Sequence, residues 1–70
     1  MDKIGKRCAE EILKRIGEKN DYNVVLDKLG IFRQSLHQWN TGKHTPSAPI
    51  LRRMALDGYD VHYILTGERK

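Results

Sequence analysis

Residues 21–42 read DYNVVLDKLGIFRQSLHQWNTG, and the order of polar, apolar and glycine positions in this stretch decides the architecture. Asp21, or Asn20 just before it, can cap a helix by accepting from its first free backbone N–H groups. From about Tyr22 to Leu29 the residues Val25, Leu26 and Leu29 fall on one side at helical spacing. Gly30 follows at once, where a chain leaving a helix needs a residue that tolerates a left-handed backbone. A further helix is expected to begin near Phe32 or Arg33 and to end near Thr41, with Leu36 and Trp39 inward and Gly42 closing it. Trp39 sits three residues from Leu36, which makes it a core residue rather than a platform for stacking. The remaining face carries Arg33, Gln34, His37, Gln38 and Thr41, with Ser35 near its boundary. Such side chains hydrogen-bond base edges, and the face has no carboxylate to repel phosphate.

The flanks supply support. From Lys3 to about Gly17, Ile4, Cys8, Ile12 and Ile16, with Ala9 and Leu13 beside them, mark the apolar side of a first helix. Its other side carries Lys6, Arg7, Glu10, Glu11, Lys14, Arg15 and Glu18, several at spacings that let opposite charges meet. Downstream, Pro46 and Pro49 bracket a loop and the first turn of a fourth helix, with Ser47 as its N-cap and Ile50, Leu51, Met54 and Ala55 as its stripe. Gly58 ends it, and Asp60 then caps a short fifth helix in which Val61, Ile64 and Leu65 repeat before Thr66-Gly67 stops it. The tail Glu68-Arg69-Lys70 is expected to fray. Five helices, with nothing that reads as a strand, a repeat or low complexity, define an all-α class.

A chain of 70 residues has room for one core and one domain. Domains this small bury only about 60% of the surface their unfolded chain exposes, which favours dimerisation. The net charge of +4 matters less than its distribution. Between Lys28 and Leu56 there is no carboxylate, while Lys28, Arg33, Lys43, Arg52 and Arg53 are all positive and His37 and His44 can add to them. That segment suits a polyanion. The single Cys8 cannot form an internal disulfide, and neither a secretory signal nor a bilayer-length apolar run is present, so the expected compartment is the reducing cytoplasm. Cys8 lies among isoleucines at helical spacing and reads as a small buried hydrophobe. No pair among Cys8, His37, His44 and His62 has the spacing of a known metal site. Nor is there a nucleophile–base pair or a phosphate-cradling glycine loop. The expectation is a protein that is not an enzyme and takes no cofactor, metal, membrane or small-molecule substrate.

The run Val25-Leu26-Asp27-Lys28-Leu29-Gly30-Ile31, continued by Trp39-Asn40-Thr41-Gly42-Lys43 and Pro46, resembles the lambda-repressor-like helix-turn-helix family, the phage CI and Cro type. The ending Gly58-Tyr59-Asp60-Val61-His62-Tyr63-Ile64-Leu65-Thr66-Gly67 is similar to the last helix of many regulators of that family. The resemblance spans roughly Asp21 to Gly67. It implies a compact five-helix DNA-binding domain with the helix-turn-helix at about 22–41. It further implies a phage or prophage repressor or Cro-like transcriptional regulator in the bacterial cytoplasm at the nucleoid, either complete or the DNA-binding domain of a larger repressor. Such a protein binds double-stranded operator DNA of two-fold symmetry as a homodimer, with its third helix in the major groove.

By matching position, the resemblance assigns base contacts to Arg33, Gln34 and Gln38, with Ser35 and His37 as secondary candidates. Arginine suits guanine O6 and N7, and glutamine suits adenine N6 and N7. Phosphate contacts fall to Tyr22, Phe32, Asn40, Thr41, Lys43 and His44. Three positions depart from the family's pattern: Leu26 where a small residue is usual, Phe32 where a small hydroxyl residue is common, and Tyr22 in place of a frequent glutamine. Phe32 is open to two roles, contact with a thymine methyl or packing on the sugar–phosphate backbone, and Tyr22 can still donate to phosphate. Arg52 and Arg53 read as solubilising the fourth helix rather than reaching DNA. His62 and Tyr63 are the candidate dimer surface. The competing class is a protein-interaction module, an antitoxin-like or antirepressor partner built on the same fold.

Overall fold

The computed structural model describes residues 3–69. Its elements are α1 (Ile4–Lys19), α2 (Tyr22–Leu29), α3 (Arg33–Asn40), α4 (Ala48–Leu56) and α5 (Val61–Thr66), and the described residues include no strand. The all-α expectation holds. α1 is the central element and packs against α2, α3 and α5, while α4 packs against α2 and α5. One core joins Cys8, Ala9 and Ile12 of α1 to Val25, Leu26 and Leu29 of α2, Leu36 and Trp39 of α3, Met54 of α4 and Ile64 of α5. Ile31 and Tyr59, from the turns, complete it.

Local chemistry sets most boundaries. Asp21 accepts a hydrogen bond from the Val24 N–H at 3.2 Å and so caps α2. Gly30 ends α2 at φ 67°, which lets the Ile31 N–H reach back to the Leu26 carbonyl at 3.1 Å. Asp60 caps α5 through the Tyr63 N–H at 2.9 Å. Ser47 occupies the N-cap position of α4 but makes no side-chain cap bond, and Pro49 lies in the first turn. One boundary differs from the sequence reading: α1 continues through Gly17 to Lys19 and ends at Asn20, whose φ is 54° and whose N–H donates to Ile16. A glycine inside a helix costs about 1 kcal/mol without breaking it, and asparagine tolerates the left-handed region.

The polar side of α1 is used inside the molecule, where its charges meet partners on other elements rather than one another along the helix. Every helix leaves carbonyls unpaired at its C-terminal end, where the dipole is negative. Arginines from other helices cover three of these ends. Arg53 Nη1 donates to the Leu29 carbonyl at 3.2 Å, closing α2. Arg15 Nη1 donates to the Asp57 carbonyl at 3.3 Å, just past α4, and lies 3.6 Å from the Asp57 carboxylate. Arg7 Nε donates to the Ile64 carbonyl at 2.9 Å and its Nη2 to Leu65 at 3.4 Å, closing α5. Arg53 therefore has a structural partner rather than a purely solubilising role.

Glu11 is buried, and Arg69 reaches it at 3.2 Å and Asp60 at 3.1 Å while lying 4.0 Å over the Tyr63 ring. The tail is held as far as Arg69 instead of fraying, because a buried carboxylate needs a counter-charge; Lys70 lies outside the described residues. The apolar stripes of the short helices are narrower than expected. Met54 and Ile64 are fully buried, whereas Ala55 and Leu65 are exposed because only one side of each helix meets the core. Cys8 is fully buried as expected, 3.5 Å from the Met54 sulfur, and burial pushes its thiol up to about 12.

Candidate nucleic-acid interface

α3 is oriented by its two buried residues. Leu36 and Trp39 are 4% and 6% exposed, so with 3.6 residues per turn the residues Arg33, Gln34 and His37 turn outward. All three are exposed, whereas Ser35 and Gln38 are half-buried on the flanks of that face. Of the five sequence-assigned base contacts, three thus stand clear of the body and two lie at its edge. The Trp39 expectation holds: the indole belongs to the core.

The start of α3 is unusual. Phe32 holds the N-cap position in an extended conformation with no side-chain cap bond, and its ring is 78% exposed. Serine, threonine or aspartate there would accept from the first free N–H groups and stabilise the helix by about 1 kcal/mol. This end of α3 therefore leaves its N–H groups without a side-chain acceptor and presents an aromatic ring beside them. Arg33 follows, with its guanidinium 5.2 Å from the Tyr22 ring centroid, linking the first turns of α2 and α3. Tyr22, Arg33, His37 and Asn40 line one shallow groove of about 210 Å³ with Leu13 and Leu36.

At the far end of α3, Asn40, Thr41, Lys43 and His44 are all exposed. Thr41 donates its hydroxyl to the Gln38 carbonyl at 3.1 Å, and the Lys43 N–H donates to the same carbonyl at 3.1 Å, so the chain folds tightly out of the helix. The loop is seated on α1 through Gly5, a residue the sequence reading did not single out. A β-carbon at Gly5 would be driven into the His44 carbonyl oxygen and would lie 3.1 Å from that of Trp39. Glycine is thus what lets the first turn of α1 approach the loop bearing Lys43 and His44. No local pattern marks this, because the contact joins residues far apart in the chain.

Charges on the two sides of the molecule are handled differently. Among the described residues, no ion pair involves Arg33, Lys43 or Arg52, whereas Glu11, Asp57 and Asp60 all meet arginines. The backbone N–H of Tyr63, helped by Arg69, holds the Asp60 carboxyl below the ordinary carboxylate range. On α5, His62 is exposed, but the Tyr63 hydroxyl donates to Glu10 at 3.0 Å, a bond that raises its pKa, and its ring is covered by Arg69. The two candidate dimer residues are therefore unlike: one is free and the other is engaged within its own chain. Tyr59, also missed in the sequence, is buried under the Arg15 guanidinium at 4.1 Å, and burial raises the pKa of its unpartnered hydroxyl. Cys8 is buried while His37, His44 and His62 are exposed, and no group of three or more potential metal ligands comes together among the described residues. No helix among them is long and apolar enough to cross a membrane.

Comparisons with protein-family models, curated proteins and solved structures find no match to this chain, so its functional reading rests on the placement of these side chains.

Proposed function

We propose that the chain is a sequence-specific DNA-binding transcriptional regulator of the lambda-repressor-like type, in which α2 and α3 form the helix-turn-helix and α3 enters the major groove. The observation that carries this reading is the exposed face of α3. Arg33, Gln34 and His37 project together, no ion pair engages Arg33, and the loop beyond adds Lys43 and His44. A major groove about 12 Å wide admits such a helix, and arginine and glutamine each make two-point contacts that distinguish guanine and adenine.

In this reading Arg33 and Gln34 reach base edges first because they lie in the opening turn, with His37 one turn further and Gln38 and Ser35 at the margin. Tyr22, Asn40, Thr41, Lys43 and His44 hold the two phosphate backbones and fix the register of α3. Phe32, beside the uncapped N–H groups, serves the same docking. A second copy reads the other half of a two-fold symmetric operator, with half-sites about one helical turn apart. The dimer surface is the exposed side of α5 with His62 and Leu65, since Tyr63 is occupied.

Selection of bound duplexes from a random pool near physiological salt tests this. Enrichment of a two-fold symmetric motif is the expected result, and its affinity falls steeply with salt as counterions are released. Absence of any enriched motif overturns the regulator reading and leaves a protein-interaction role for the same fold.

A further inference from the structure

An open cleft of about 600 Å³ lies beside the first turns of α1, the end of α3 and the end of α5, and its lining includes Lys3, Lys6, Arg7, Glu10 and Asn40. It shares Leu13 and Asn40 with the groove that Arg33 and His37 line, so the two form one trough. That trough runs from the start of α3 past its C-terminal end onto α1. Gly5 sits between Lys3 and Lys6 and seats this turn directly on the loop bearing Lys43 and His44. The two lysines are three residues apart, about 4.5 Å of helical rise, and lie toward one side of the helix.

The charges in the cleft divide by employment. Arg7 is spent on the carbonyls of Ile64 and Leu65, and the Glu10 carboxylate accepts from the Tyr63 hydroxyl on the α5 side. Lys3 and Lys6 are exposed and take part in no ion pair among the described residues. A wide, shallow trough with exposed ammonium groups encloses a small ligand poorly but suits a continuous polyanion lying across it.

We propose that Lys3 and Lys6 extend the phosphate-contacting surface from the α3–α4 loop onto α1, so that one strand of a DNA duplex is tracked along the trough. This rests on the DNA-binding reading of α3 and widens its footprint to an element that otherwise only supports the core. Lysines that meet phosphates displace counterions without reading bases, so they act on affinity and salt dependence and leave sequence preference alone.

The test measures affinity against salt for a selected duplex and for a scrambled one of equal length, with the intact chain, the double variant Lys3→Gln/Lys6→Gln, and Lys14→Gln. Lys14 is the control because it is exposed on α1 in a different groove, with Glu11, Glu18 and Asp60. Thermal unfolding of each variant checks that the fold is retained. The expected result is a fall of about two in the slope of log affinity against log salt for the double variant, with equal weakening on both duplexes and no such change for Lys14→Gln. If the intact chain prefers the selected duplex but the double variant keeps its slope, the trough is overturned and the α3 reading survives. If the intact chain binds neither duplex, the DNA reading fails and the trough with it.

Discussion

Arg7, Arg15 and Arg69 at the α1–α5 side carry the same charge as Arg33 and Lys43 at the α3 side, yet the two groups are employed in opposite ways. The first group is bound to helix-end carbonyls and to Glu11, Asp57 and Asp60. The second group meets no carboxylate among the described residues. A net charge of +4 is therefore a poor guide to function, because four of the six arginines that contribute to it are absorbed by the fold. Among the described residues, unpaired cations remain on several elements, Lys3, Lys6 and Lys14 at α1 and Arg52 on α4 among them, but Arg33 and Lys43 are the ones that share a side with the exposed polar face of α3. The contrast teaches that cations on this molecule must be sorted by partner before they are assigned to DNA.

The most disruptive way to break the contrast is to separate α3's loop from the body. Gly5→Val places a branched side chain against the backbone carbonyls of Trp39 and His44, which cannot rotate away. Chemical denaturation should show a loss of about 3 kcal/mol, at the upper end for overpacked sites. A variant as stable as the parent would mean that α1 and the loop are not in contact.

Arg33→Ala addresses the free side. It should reduce affinity for a selected duplex by about 2 kcal/mol, roughly thirtyfold, and relax preference at one base position. Its unfolding free energy should fall by no more than about 1 kcal/mol, because the residue is exposed and its contact within the chain is the Tyr22 ring 5.2 Å away. Arg7→Met makes the complementary change: stability falls by about 1 kcal/mol as the carbonyls of α5 lose their donor, and DNA affinity per folded molecule stays nearly the same. If Arg7→Met instead weakened binding as strongly as Arg33→Ala, the division between structural and free arginines would collapse.

The smallest expected effect is confined to acid pH. Asp60 has its carboxyl held below the ordinary range, first by the Tyr63 N–H and then by Arg69. The stability it contributes is present above the ordinary carboxylate pKa and is lost as pH falls through that value toward the lower folded one. Melting temperature measured across this window should drop less steeply in Asp60→Asn, which keeps a capping oxygen but does not titrate. An unchanged acid limb would show that the Asp60 network is formed but does not govern stability.

The extent of this organisation that could be read in the sequence follows from the range of each interaction. The α2–α3 unit was legible because its signals are local: a cap at Asp21, a periodic Val25-Leu26-Leu29 side, a glycine at the exit and an inward Leu36-Trp39 pair. The outward placement of Arg33, Gln34 and His37 followed from the same periodicity. The employment of Arg7, Arg15, Arg53 and Arg69 was not legible, since each partner lies on another helix or beyond a turn and nothing near the arginine specifies it. The burial of Glu11 was hidden for the same reason, and the need for a glycine at position 5 appears only when the loop at Trp39–His44 is folded against it. Leu65 was placed inside by its spacing, but it lies about 100° around the helix from the fully buried Ile64, and only that side of α5 meets the core. Periodicity gives the direction of a side chain within its element; only packing gives its partner.

The central claim is that the free cations around α3, and not the paired ones around α5, face DNA. Backbone amide shifts recorded while a short duplex carrying a single half-site, which recruits one copy, is added at low salt test it directly. The account predicts that changes concentrate on Tyr22, residues 32–38 and residues 40–44, with residues 3–6 joining them if the trough is used, while Val61, Ile64 and the buried part of α1 stay still. Changes centred on α5 and the Arg69 tail, or no changes at all, would contradict it.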